Sequence, residues 1–476
     1  MAQAVVVRDR AAAAFPLGPI IGLVGVAVLA TLADLAIGAG AWFFMVAALL
    51  VLALVMARPE VGIAVFLSTF LVTYPSVLAG AGYLTINNVL GLVFLVLLAH
   101  RVYSTGDWWF ARNPEMLLFG LIVLSYLASG YFNGPDPRLL QLIGPSERNE
   151  AMRLFVNRVA FVLFVINFIR TPAHIRLIYM LAISLMVASG LVGLYGALSG
   201  GGLYGYRAST FIWIIAASGN PNRLAMFSII SMGALWYLSQ QVYSRVGRAL
   251  LIATIVALVL AVFMAASRSG LLALSACVLF ILADEGASPR RVLGLVAAGV
   301  LAVVLVLQFV PEKSLERATT LPGTERAETG VGSGSLERRR YTLSVGYEIV
   351  SENVLLGVGV GNWEITRFLR DPGRYTAPPH NSYLLAMAEG GLFCLLGFVG
   401  LFWRTWGNLS TARRLLPPPR QLRDINWMVS GARVGLIAVV VFSMFADLWQ
   451  AIPLFWLVGL GVTMRRYAEA RSYATA

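Results

Sequence analysis

Charge is scarce in this chain. Only 12% of its 476 residues are Asp, Glu, Lys or Arg, against about 25% in a soluble domain. With 59% hydrophobic residues and a mean hydropathy of +0.78, a water-soluble globule is excluded. Cysteine is nearly absent: Cys277 and Cys394 both fall inside apolar runs, so there is no disulfide framework and no statement about redox compartment. Lysine is reduced to Lys313, which leaves the basic excess of +13 almost wholly to arginine. Histidine occurs three times, at His100, His174 and His380. The strict alternation of barrel strands is missing too, so the spans are read as helices, whose backbone groups are paired internally in lipid.

What is present is a succession of apolar stretches, each close to the roughly 20 residues that cross a bilayer. They place helices near 16–37, 41–57, 61–79, 84–100, 115–132, 154–170, 175–198, 222–239, 249–265, 269–283, 292–310, 380–403, 433–448 and 452–466. The expected fold is all-α: a polytopic transmembrane helix bundle of fourteen spans, or twelve if the first two and last two conceal a re-entrant pair. The whole chain, 1–476, reads as a single integral membrane domain, with 311–379 as a long loop within it. Arg8 and Arg10 before the first apolar run read as a signal anchor rather than a cleaved leader.

Arginine orients the set. Arg58, Arg101, Arg112, Arg170, Arg176, Arg245, Arg248, Arg290 and Arg291 fall on one side, with the cluster from Arg404 to Arg433 and then Arg465 and Arg466. The short-loop rule makes that side cytoplasmic, with both termini. The segments 133–153, 199–221 and 311–379 then share the opposite side. Within the long loop, a helix is expected from Leu336 to Glu352, then a glycine-rich turn and a short helical piece to Arg370, stopped by Pro372, Pro378 and Pro379.

Four polar constellations face that opposite side. One is Tyr206-Arg207-Ala208-Ser209-Thr210, followed by Asn220-Pro221-Asn222. The second is Ser267-Arg268-Ser269-Gly270, a hairpin so short that its charge stays at the membrane edge. The third is Arg340 with Gly357-Val358-Gly359-Val360-Gly361-Asn362. The fourth is His380-Asn381-Ser382-Tyr383. Each has a plain reading: a snorkelling arginine for Arg268, a turn and helix cap for Asn220 to Asn222, surface charge for Arg338 to Arg340, a capping ring for His380. The glycine run is no dinucleotide fingerprint, because no βαβ unit surrounds it; it is a turn that lets backbone approach something closely. A charge at the membrane edge is otherwise a functional hypothesis. Arginine's planar fork suits phosphate, and a neutral imidazole can accept a proton from a hydroxyl.

Taken in order and on one face, these motifs resemble the O-antigen ligase and polymerase superfamily, over about residues 200 to 400. The resemblance implies a membrane glycosyltransferase of the GT-C architecture in the bacterial inner membrane, with its active site facing the periplasm. It would move a glycan from an undecaprenyl-diphosphate carrier to an acceptor sugar hydroxyl, with inversion and without a metal or other cofactor. His380 would be the catalytic group. Arg207 and Arg268 would hold the diphosphate, and Arg340, Asn222, Gly359, Gly361, Asn362, Asn381 and Tyr383 would complete the substrate site. The implied partners are the lipid-linked donor, a sugar acceptor and membrane lipids; no nucleic-acid partner is expected.

The acceptor stays open between another lipid-linked repeat (polymerase), lipid A-core (ligase) and protein; the count of fourteen spans leans toward the polymerase. A lipid-linked sugar flippase or transporter is the alternative of another class. Against it stand the lack of paired broken helices in corresponding halves and the clustering of polar groups on one face.

Overall fold

In the computed structural model, residues 55–71, 86–133, 146–199, 220–285, 333–371, 379–417, 424–447 and 451–475 are described. The proposed spans 16–37 and 292–310, most of 41–57, and Arg207 lie outside them. By internal contacts the chain forms two compact units, Met1–Val65 and Phe66–Ala476; apart from helical residues 59–65, everything below concerns the second.

The described residues are helical, without a strand among them. The helices are α1 Pro59–Leu71, α2 Ile86–Thr105, α3 Pro114–Phe132, α4 Ser146–Phe168, α5 Pro172–Leu198, α6 Pro221–Ser239, α7 Arg245–Met264, α8 Arg268–Glu285, α9 Ser333–Glu352, α10 Trp363–Arg370, α11 Ser382–Leu415, α12 Asn426–Ser443 and α13 Ile452–Thr475. Among the described residues, seven segments are long and apolar enough to cross a membrane: 87–105, 114–132, 151–168, 172–198, 245–264, 382–415 and 426–443. The all-α polytopic reading therefore holds.

Several helix starts follow from a cap followed by proline. Asn113-Pro114, Thr171-Pro172 and Asn220-Pro221 each place a side-chain acceptor before a residue that has no N–H to leave unpaired. Asn220 Oδ1 accepts from the amides of Asn222 (3.0 Å) and Arg223 (3.2 Å), which is the plain reading of that motif.

The bundle is built around α6, which packs on α5, α7, α8 and α12, while α11 packs on α3, α12 and α13. Glycines set how closely the helices approach. A Cβ on Gly233 would meet Val434 at 2.5 Å, one on Gly397 would meet Ile122 at 2.6 Å, and one on Gly459 would meet Val165 at 2.9 Å. Small residues at helix crossings do in lipid what apolar burial does in water.

At the arginine-rich end, Glu115 of α3 is buried and accepts from Arg404 (3.2 Å) and Asn408 (2.7 Å) of α11. Arg433 of α12 pairs with Asp284 of α8 at 2.5 Å, its guanidinium between the rings of Phe280 and Trp406. These pairs fix the ends of four helices.

The helix expected over 380–403 is corrected in three ways. It begins at Ser382, it continues to Leu415, and it is broken at Gly391, whose backbone (φ 73°, ψ −167°) is open only to glycine. The break folds the two halves together. In an unbroken helix Tyr383 and Phe398 would stand about 22 Å apart along the axis at 1.5 Å per residue, yet their ring centroids are 5.4 Å apart.

Candidate functional site

The break in α11 positions the chemistry. Carbonyls freed around Gly391 take donors from two places. From α3, Ser125 Oγ donates to Gly390 O, and Ser129 Oγ to Glu389 O at 2.8 Å. From the glycine turn, Val358 N donates to Ala388 O and Gly359 N to Glu389 O, both at 2.8 Å, while Leu392 N donates to Val354 O at 2.8 Å. What the glycine turn approaches so closely is therefore this broken backbone: a Cβ on Gly357 would meet Glu389 C and Gly391 N at 2.6 Å. Gly361 N donates to the buried carboxylate of Glu389 at 3.0 Å. Asn362, fully buried, donates to Val358 O at 2.7 Å. Gly359, Gly361 and Asn362 are thus tied to the helix break, and through it to the wall of a cleft.

At the other end of the same half-helix, Asn381 Oδ1 caps it by accepting from Tyr383 N (3.0 Å) and Leu384 N (3.1 Å). Ser382 Oγ donates to Ala446 O at 2.6 Å and Tyr383 OH to Val440 O at 3.2 Å, locking the start of α11 against the end of α12. That lock brings His380 to Asp447. His380 has a left-handed backbone (φ 50°) between Pro379 and the cap, a conformation that histidine tolerates better than most side chains. Its Nδ1 lies 3.1 Å from Asp447 Oδ2. With Nδ1–H directed at the carboxylate, Nε2 is the free acceptor.

Asp447 also lines a cleft of about 290 Å³. Its polar wall is Arg158 of α4, Arg223 of α6, Glu389 and Asp447; its apolar wall includes Phe70, Leu154, Phe227, Leu385 and Ile452. Arg158 lies in the field of Arg223, and Arg223 in that of Asp447. Two guanidiniums facing one cavity favour an anion between them.

The remaining predicted residues are placed as follows. Asn222 Oδ1 accepts from Ser267 Oγ at 2.8 Å, and Ser267 lies 3.0 Å from Ser269 Oγ, so the Ser267–Gly270 hairpin is pinned beside Arg223. Arg268 opens α8 from that hairpin. Arg340 is exposed on α9. Neither Arg268 nor Arg340 is among the described lining residues of the cleft.

The motif reading passed over Arg158, Arg223, Glu389 and Asp447 as site residues. A signal was available: each falls within a stretch assigned as membrane-spanning, where an ionisable side chain marks function by default.

Residues 253–399 match the family model described as O-antigen ligase. The resemblance read from the sequence is borne out over that stretch. The matched stretch holds the Ser267–Gly270 hairpin, the glycine turn, His380 and Glu389, whereas Arg158, Arg223 and Asp447 come from outside it. No curated protein matches the chain.

Proposed function

We propose that this chain is a glycosyltransferase of the inner membrane, working at its periplasmic face on a glycan carried by undecaprenyl diphosphate. One observation carries the reading: Asp447, whose carboxylate meets His380, lines a cleft that also presents Arg158 and Arg223. Asp447 holds the ring so that Nε2 takes the proton of an acceptor hydroxyl. The acceptor oxygen then attacks the anomeric carbon as the bond to the carrier phosphate breaks. Charge grows on the leaving diphosphate, and the guanidiniums stabilise it most where it is largest. Arg268, beside the Asn222–Ser267 contact, and Arg207 are assigned to the same diphosphate. Attack opposite the leaving group inverts the anomeric centre. The products are the extended glycan and undecaprenyl diphosphate, with no cofactor consumed.

The leading acceptor is a second lipid-linked repeat, which makes the protein an O-antigen or exopolysaccharide polymerase. The ligase reading, with lipid A-core as acceptor, is favoured by the description of the matching family. Purified protein incubated with lipid-linked repeat units alone separates them. Lengthening ladders are expected; a product that forms only once lipid A-core is added assigns the ligase. Transport in proteoliposomes without any new linkage would overturn both. Activity is expected to survive a chelator, and a loss restored by magnesium would overturn the metal-free mechanism.

A further inference from the structure

The surface of the long loop changes character abruptly. Over residues 339–352 of α9 the exposed side chains are Arg340, Ser344, Tyr347, Glu348, Ser351 and Glu352, polar but for one tyrosine ring. Two residues later the exposed pair is Val354 and Leu355, the latter 60% exposed, and at the end of α10 it is Phe368 and Leu369. Arg370 reaches Glu348 at 3.7 Å and bonds to Glu352. That contact ties the end of α10 to the end of α9, and each apolar pair lies within three residues of a charged partner in it.

This patch continues a surface already read as membrane. Along α3, Leu117, Leu124, Leu127, Tyr131 and Phe132 are exposed and end on the two aromatic rings, 84% and 69% exposed. Aromatic residues collect where a span leaves the hydrocarbon. Asn133, the next residue, donates to Gly357 O at 3.0 Å, so the turn is held at the end of the span. A soluble loop would have no reason to expose four large apolar side chains at that level while gathering its charges to one side.

We propose that Val354, Leu355, Phe368 and Leu369 form a membrane-surface anchor. They enter the leaflet at the His380 end of the bundle, while Glu348, Glu352 and Arg370 remain in water at headgroup level. This part of the long loop is thereby fixed to the bilayer, as an amphipathic element lying in the interface is. Its glycine turn holds Glu389, so the cleft wall is braced from the lipid side. The inference does not depend on the reaction proposed above.

Full-length protein in vesicles of phosphatidylethanolamine and phosphatidylglycerol tests it. Leu355→Cys, Leu369→Cys and, as a water-side reference, Glu348→Cys are spin-labelled, and relaxation by oxygen is compared with relaxation by a water-soluble nickel chelate. Cys277 and Cys394 are buried, and unsubstituted protein sets their labelling background. The expected result is that oxygen dominates at 355 and 369 and the chelate at 348. Chelate dominance at 355 and 369 would overturn the anchor, and so would shielding from both reagents, which would mean a protein contact such as a second copy. Val354→Cys and Phe368→Cys repeat the measurement should either leucine variant fail to fold.

Discussion

Gly361 N donates to Glu389 Oε1 across 3.0 Å, joining the glycine turn of the long loop to a buried carboxylate that lines the cleft. With the backbone bonds from Val358 N to Ala388 O and from Gly359 N to Glu389 O, it ties the loop between α9 and α10 to the half-helix that begins beside His380. Glu389→Ala removes the acceptor and leaves a partly buried amide unpaired, at a cost of about 1–3 kcal/mol at most. Thermal unfolding in detergent is expected to show the loss, while Glu389→Gln, which keeps an acceptor oxygen, is expected to recover most of it. Equal losses in both variants would mean that the charge, rather than the bond, matters.

His380→Ala is expected to abolish transfer while the protein remains in the membrane. Asp447→Asn removes the carboxylate that orients the ring, and a fall in kcat of about 10²- to 10⁴-fold is expected. The double variant should be no slower than His380→Ala, because groups acting as one unit are non-additive. A further loss in the double variant would give Asp447 a role of its own.

Arg158→Ala and Arg223→Ala should each weaken use of the diphosphate donor, read as kcat/KM for lipid-linked glycan. Lysine at either position restores a point charge without the bidentate fork and is expected to rescue only in part. Arg268→Ala belongs in the same series. Unchanged donor dependence in all three would remove the anion site.

Gly391→Ala should be severely destabilising. A Cβ there would lie 2.1 Å from Leu355 O, on a backbone with φ at 73°, and strain in that region alone costs on the order of 1–3 kcal/mol. Gly407→Ala, in the same helix with open space around it, should instead be neutral or stabilising by up to about 1 kcal/mol. Melting temperatures of the two variants, measured side by side, decide the point.

Much of the fold was legible along the chain. Hydropathy located the apolar helices among those described, and Asn113-Pro114, Thr171-Pro172 and Asn220-Pro221 announced three starts, because capping involves only neighbours. His380 was conspicuous as a lone polar ring among apolar spans. Its partner was not, since Asp447 belongs to another helix end and nothing local links the two. Gly390-Gly391 read as part of a continuous span, because glycine is common in membrane helices and the hydropathy window does not register φ. Arg158 and Glu389 were present as isolated charges in apolar runs, but their common target appears only once α4 and α11 are packed.

The order of residues by itself determined that this is a multi-span helical membrane protein with most of its arginines between the apolar stretches and a histidine just before a capped helix start. Those properties rest on transfer energies and caps, each set within a few neighbouring positions. Only the tertiary structure decided that α11 breaks and folds on itself, that Asp447 meets His380, and that Arg158, Arg223 and Glu389 share one cleft. Convergence depends on how closely helices far apart in the chain can approach, and small residues such as Gly233 and Gly397 control that distance through partners that no local pattern names.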